Sequence, residues 1–225
     1  YDIVGLTGHV VPVFLLDTNV DDNPQWAKDI TKNLYGGDAS IRICQEIVLG
    51  IGGVKMLRQL DYTAINSYHL NEGHCGFVPL ALLPENHWQD APVKSKCVFT
   101  THTPVPEGHD HFTYDHAYYW AGKYLPLHIK NLAGQDSFSL TDLALNLSHA
   151  AISVSEKHSL VSHNLFPHHS FTPVTNGVHH RSWTWYVIQD LFDQYLPGWL
   201  QNPEILKLAP NSLPDDALSH AHSMC

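Results

Sequence analysis

The sequence predicts an α/β fold: a mainly parallel sheet with flanking helices. Short β-branched or apolar runs alternate with longer segments of helical period, the pattern of strands joined by crossover helices. Four of the apolar runs end in polar clusters, and no repeat or low-complexity tract interrupts the chain, so one continuous fold is expected. With 44% apolar and 15% charged residues over 225 positions, the chain can bury a sizeable core, which excludes a disordered chain or a peptide-sized module.

Residues 10–16 (VVPVFLL) read as a first strand, and Pro12 places it at a sheet edge or a strand start. Residues 40–60 carry Ile47, Ile51, Val54 and Leu57 on one face of a helix. Gly50, Gly52 and Gly53 lie inside it; they do not form the G-x-G-x-x-G fingerprint and no strand directly precedes them, so they read as points of close packing. Residues 64–70 form the next strand, followed by NEGH. Residues 96–100 (KCVFT) form another, followed by THTPVPEGHDH. Ser139 caps a helix running through Leu140, Leu143 and Leu147, with Asp142 in the capping-box position. Residues 150–154 are a strand ending in SEKHS, and 171–174 a short strand ending in TNGVHHR. Trp185, Ile188, Phe192 and Tyr195 then give a helical stripe stopped by Pro197-Gly198, and Trp183, Trp185 and Tyr195 read as core.

In open α/β sheets ligands bind outside the carboxyl ends of the strands. The polar clusters at 71–74, 101–111, 155–159 and 175–181 are therefore expected to converge on one rim. Twelve Lys and Arg against twenty-two Asp and Glu give a net charge of -10, the wrong sign for a surface that tracks nucleic acid, and the scattered cations make no membrane patch or phosphate clamp. Cysteines at 44, 75, 97 and 225 lack metal or disulfide-scaffold spacing, which points to a reducing compartment. The longest apolar stretch, 47–54, is far short of a membrane span. The chain opens at Tyr1 on a strand-like run, as a piece of something longer would.

Eighteen histidines invite a metal reading: His69, Glu72, His74, His102, His109, Asp110 and His111 offer imidazole and carboxylate ligands. The spacing argues against it, since H-E-x-x-H is absent, and His109–His111, His168–His169 and His179–His180 read as solvated loop residues. No G-x-S-x-G elbow is present, and Cys75 reads as a small buried residue opening a helix. Glu72 and Glu107 form a carboxylate pair suited to glycosidase-like work if they face each other. A rim of Asn, His, Glu and Thr in a chain with six Trp and ten Tyr suits a polyhydroxylated ligand.

At these clusters VPVFLLDTNV, LYGGD, IRICQEIVLGIGGVKMLRQL, YHLNEGH, VFTTHTPVPEGHD and VTNGVHHRSW resemble, in order over about residues 10–200, the α-glucan (glycogen or starch) phosphorylases, especially the shorter bacterial type. The resemblance implies one Rossmann-like half of a two-domain, GT-B type glycosyltransferase that uses inorganic phosphate to release glucose 1-phosphate from an α-1,4-glucan or maltodextrin, with pyridoxal phosphate as cofactor. By the same resemblance, His102 presents its backbone carbonyl to the terminal glucose, Asn176 bonds that glucose's hydroxyls, and Glu72 and His74 line the acceptor-sugar side. Glu107 and Asp110 also match motif positions, with helix capping or loop bracing as the alternative, and His158 matches as a substrate-binding residue, with holding its loop as the alternative. Cys44 stands where a basic residue is common, and SLTDLALNLS departs from the usual helix motif.

The resemblance further implies that the glycine-rich sugar loop and the cofactor lysine lie outside this chain, leaving no cofactor-binding or metal residue within it. The expectation is then that residues 1–180 are the later part of a glucan-side domain and 181–225 a helical connection towards a cofactor domain. The parent enzyme is expected to be cytoplasmic and able to form a homo-oligomer, while the isolated chain is inactive. Two alternatives are a stand-alone maltodextrin-binding module and a histidine-rich metal-dependent hydrolase.

Overall fold

The computed structural model describes residues 1–5, 7–34 and 36–224; Tyr35 of the LYGGD run and Cys225 lie outside the described residues. The chain divides into two compact units, Tyr1–Thr175 and Asn176–Cys225.

The first unit opens with β1 (Asp2–Val4) and β2 (Val10–Pro12), an exposed antiparallel pair with Ile3 opposite Val11. The strand expected over 10–16 is thus limited to its first three residues and stands outside the main sheet. Pro12 lacks an N–H but lies at a position of the pair that needs none, and pairing runs one residue further, with the Val13 N–H donating to the Tyr1 carbonyl at 2.8 Å and the Tyr1 amine to the Val13 carbonyl at 2.9 Å. After α1 (Gln25–Lys28), Asp38 caps α2 (Ala39–Ile47), accepting from the N–H groups of Ser40 and Ile41 at 2.9 and 3.0 Å. A π-helical segment, Val48–Gly52, joins α2 to α3 (Gly53–Gln59) within the span expected as one helix. At Gly50 a Cβ would lie 2.6 Å from the Cβ of Phe77 and 2.8 Å from the Val78 nitrogen, so close packing is its role. Gly52 and Gly53 have nothing nearer than 3.9 Å, and the packing explanation does not extend to them.

The main sheet follows. It comprises β3 (Tyr68–Asn71) and, after α4 (Phe77–Leu82) and α5 (Asp90–Lys94), β4 (Cys97–Thr101). Next come the short antiparallel partners β5 (His111–Phe112) and β6 (Phe138–Ser139), with α6 (Tyr114–Ala121) and α7 (Ile129–Ala133) between them. Ser139 then caps α8 (Leu140–Asn146), its Oγ accepting from the Asp142 N–H at 3.1 Å as expected. Strand β7 (Ala150–Ser153), α9 (Glu156–Leu165) and β8 (Phe171–Pro173) complete the unit.

The four parallel strands lie in the order β3-β4-β7-β8. Each crossover steps in the same direction across the sheet, and right-handed connections then place their helices on one face. Burial agrees. Tyr68, Leu70, Cys97, Phe99, Ala151 and Phe171 are buried with Phe77, Leu80, Phe138, Leu140 and Leu143, whereas His69, Asn71 and Thr172 on the opposite face are exposed and Val98, Ala150 and Ile152 half-buried. Thr100, on that same face, is buried, its hydroxyl 2.5 Å from His69 Nε2.

The second unit contains α10 (His180–Trp183), α11 (Tyr186–Tyr195), α12 (Ala209–Ser212) and α13 (Asp215–Ser223). Its core is Val187, Leu191, Leu196, Trp199 and Ala221, with the Trp199 indole N–H donating to Asp193 at 2.8 Å. The buried face of α11 is therefore turned from the expected stripe. Trp185, Ile188, Phe192 and Tyr195 are only half-buried, and Trp183 is 80% exposed, which removes it from the core. No helix among the described residues is long and apolar enough to cross a membrane.

Candidate functional site

Parallel pairing places Asn71 beside Thr100, so NEGH and THT leave the sheet side by side. The Glu72 N–H extends the ladder by donating to the Thr100 carbonyl at 2.9 Å. Glu72 then turns with φ 67° and ψ 173°. A residue with a Cβ pays about 1–3 kcal/mol to occupy that region, so contacts must hold it there. Its carboxylate supplies them. It accepts from the Thr101 hydroxyl at 3.3 Å, the Thr103 hydroxyl at 3.1 Å and the backbone N–H of His102. Gly73 and Gly76 let this turn lie against the start of α8, because a Cβ at either would come within 2.8 Å of Thr141 Oγ1 or the Leu140 carbonyl respectively.

His74, one residue past Gly73, is half-buried and meets three side chains. Its Nδ1 lies 2.7 Å from Arg42 Nη2, 3.4 Å from Asp110 Oδ2 and 3.7 Å from Glu46 Oε1. Arg42 Nη2 also lies 2.9 Å from Asp110 and 3.3 Å from Glu46. Glu46, one helical turn beyond Arg42 on α2, is 1% exposed. Burial pushes its carboxyl up to about 8, opposed by its bond to His74. Bonds to Asp110 and Glu46 raise His74 to about 9, outweighing burial and the repulsion of Arg42. Burial works to raise Asp110, but bonds to His74, Arg42 and Glu46 outweigh it and hold the carboxyl well below the usual range. The Glu46–His74 pair therefore keeps a proton above neutral pH. An imidazolium has no lone pair at Nδ1 for Arg42, so the guanidinium's productive partner is Asp110.

The ligand atoms of Glu46, His74 and Asp110 lie within 4.8 Å of one another, the spacing of a small metal site. The Arg42 guanidinium stands among them and provides the positive charge a metal ion would bring. A cavity of about 550 Å³ opens beside the cluster, lined by Gly37, Asp38, Arg42, His74, Asp110 and His111 among others. Another of about 550 Å³ lies among the helices near Arg58, whose guanidinium is bound to Glu85 and the Tyr68 hydroxyl.

The remaining expected residues divide. His102 is exposed, with its N–H bound to Glu72. His158 is buried at the first turn of α9; its Nδ1 accepts from the Val154 N–H at 3.4 Å, so it holds the loop after β7. Asn176 opens the second unit and is exposed. His109 is not the solvated loop residue expected. It is 7% exposed, bonded through Nδ1 to Thr141 Oγ1 at 3.0 Å and edge-on to Phe166, because the loop after β4 folds back over α8. Glu107 is exposed in the turn Pro106–Gly108, while the Glu72 carboxylate is engaged by its loop. Cys75 is half-buried in the turn before α4, its thiol donating to the Asn71 carbonyl at 3.4 Å. Arg42 and Glu46 were not singled out in the sequence. Their signal was two charges at i and i+4 on an otherwise apolar helix face.

No protein-family model matches the chain. Among curated proteins it is 35% identical, over 94% of its own length, to the maltodextrin phosphorylase of Thermococcus litoralis. It is 34% identical over 85% to the glycogen phosphorylase of Mycobacterium tuberculosis, and 29% identical over 82% to that of Aquifex aeolicus. It spans 28%, 25% and 30% of the length of these relatives respectively.

Proposed function

Because the chain belongs to the glycogen and maltodextrin phosphorylase family along the segment it shares with these relatives, we propose that it forms the glucan-side wall of a phosphorylase cleft. In this reading its first unit is part of one half of a two-domain, GT-B type glycosyltransferase that cleaves α-1,4-glucan with inorganic phosphate. The observation that carries the reading is the joining of NEGH and THT at the carboxyl ends of adjacent parallel strands, through the Glu72 carboxylate. His102 would present its backbone carbonyl to the electron-poor anomeric carbon, and oriented dipoles are what such a transition state rewards. His74 and Glu72 would line the acceptor side, His74 offering Nε2 while Nδ1 is held by the network. Asn176 would bond glucose hydroxyls, and His158 would keep the loop after β7 in place. A cytoplasmic setting fits the free thiols of Cys44, Cys75 and Cys97.

Pyridoxal phosphate, implied by family membership, requires a lysine amine and cationic donors gathered around its phosphate. This chain's residues do not fit it. Of its twelve lysines and arginines, Arg42 is bound to Asp110, Arg58 to Glu85, and Lys55 and Lys123 lie over the Tyr124 ring. At the rim of the first unit Lys157 stands exposed without a second cation in the same cluster. No step is therefore assigned to the cofactor here, and the 225-residue chain alone is expected to bind glucan without turning it over. Calorimetry with maltoheptaose, and an assay for glucose 1-phosphate with phosphate and pyridoxal phosphate added, test both halves. Binding heat without product is the expected result; glucose 1-phosphate formed by the purified chain would overturn the inactivity, and no heat with any glucan would overturn the binding.

A further inference from the structure

We propose that Glu72 is a positioning residue, whose carboxylate fixes the direction in which the His102 carbonyl points; this rests on the glucan reading above.

Two successive peptides are involved. The first ends in the His102 N–H, which donates to Glu72 Oε1. The second contains the His102 carbonyl and the Thr103 N–H, and that N–H donates to Thr101 Oγ1 at 3.3 Å. The Thr101 hydroxyl in turn donates to Glu72 Oε2, and the Thr103 hydroxyl to Oε1 at 3.1 Å. Both peptides are thus referred to one carboxylate. In a planar trans peptide the C=O and N–H point in opposite directions. With the Thr103 N–H drawn inward to the Thr101–Glu72 bonds, the His102 carbonyl is directed away from them, with the negative end of its dipole outward.

The backbone of Glu72 supports this role. At φ 67° and ψ 173° glycine would sit more easily, so the side chain is held at a position the backbone resists. Its oxygens accept from three donors of the loop, the arrangement of a brace.

This separates orientation from stability. Glu72→Gly removes the brace and relieves the backbone, whereas Thr103→Val removes one donor and leaves Glu72 in place. Three quantities are read on the purified chain: thermal midpoint, amide exchange at His102, and maltoheptaose affinity by calorimetry. Glu72→Gly is expected to keep or raise the midpoint, speed His102 exchange, and weaken maltoheptaose about tenfold, the usual scale for a charged hydrogen bond. Thr103→Val should shift exchange and affinity the same way by less. Midpoint and affinity falling together, with His102 exchange unchanged, would make Glu72 merely structural. Affinity falling with exchange unchanged and Thr103→Val silent would place the carboxylate on the sugar itself. Faster exchange with unchanged affinity would remove the carbonyl's orientation from recognition. Should wild-type chain bind no glucan, the functional reading fails, while His102 exchange still decides whether Glu72 sets the peptide.

Discussion

Arg42 Nη2 lies 2.9 Å from Asp110 Oδ2, joining positions 68 residues apart. The bond ties α2 to the segment leaving β4, with His74 from the turn after β3 drawn in alongside. Three rim-facing segments are therefore fixed by one guanidinium. Arg42→Met leaves Asp110 with His74 as its remaining cation beside a buried Glu46, and removing one partner of such a partly buried pair costs up to about 3 kcal/mol. Urea unfolding at pH 7 measures this. Adding Asp110→Asn should recover much of the loss, since no uncompensated charge then remains at that position. A loss below about 1 kcal/mol for Arg42→Met would give the pair only the weight of a surface contact.

The same cluster predicts a stability that falls on the alkaline side. Glu46 is raised from 4.5 to about 8 and His74 from 6.5 to about 9 in the fold. In both cases the folded chain holds a proton that the unfolded chain has released, so stability is lost as pH climbs towards those values. Thermal midpoints should decline between about pH 6 and 9. Glu46→Gln has no proton to lose at that position and should flatten the decline. A wild-type midpoint that rises over this interval would contradict the arrangement.

Gly50 and Gly53 lie in one continuous helical span yet should respond oppositely to alanine. At Gly50 the new methyl meets Phe77 at 2.6 Å, and forcing apart well-packed helices costs about 1–3 kcal/mol. At Gly53 nothing lies within 3.9 Å, and alanine's better helix propensity should add about 0.5–1 kcal/mol. Denaturation midpoints of the two variants, moving in opposite directions, are the expected result.

The difference in burial between the two sheet faces predicts a contrast between neighbouring strands. Ala151 on β7 faces the core and Thr172 on β8 faces away from it. Ala151→Lys buries an unpaired charge and should cost more than about 4 kcal/mol, enough to unfold a marginal domain. Thr172→Lys should stay within about 0.5 kcal/mol of wild type. Equal losses would mean that both faces are covered.

The four strands of the main sheet were legible because each is a short apolar run closed by polar residues, although the one expected over 64–70 begins only at Tyr68 and the short β5–β6 pair was not expected; Ser139 was legible because its capping hydroxyl has a fixed spacing to Asp142. The strand at 10–16 was overcalled. Hydrophobic residues marked it, but the reach of its partner at 1–4 decided the extent of pairing, whose last bonds join Val13 and Tyr1 just past Pro12. The buried phase of α11 was missed because Trp185 and Tyr195 outweighed the smaller Val187 and Leu191 in the pattern, although the smaller residues fit the core. The rim motifs could be named from sequence, but their bonds to one another could not. Glu72 reaches His102 through the parallel β3–β4 register, and Arg42 on α2 reaches Asp110 across 68 positions, contacts that tertiary folding rather than local spacing brings together. His109 was misplaced for the same reason: its loop folds back onto Thr141, which lies 32 residues away.

The most direct test of the central claim is a ¹H–¹⁵N NMR titration of the chain with maltoheptaose, followed residue by residue. Shifts concentrated at 71–74 and 101–103, and weakened by His74→Ala, are the predicted result; saturating sugar that leaves these amides unmoved, or moves amides elsewhere instead, would contradict it.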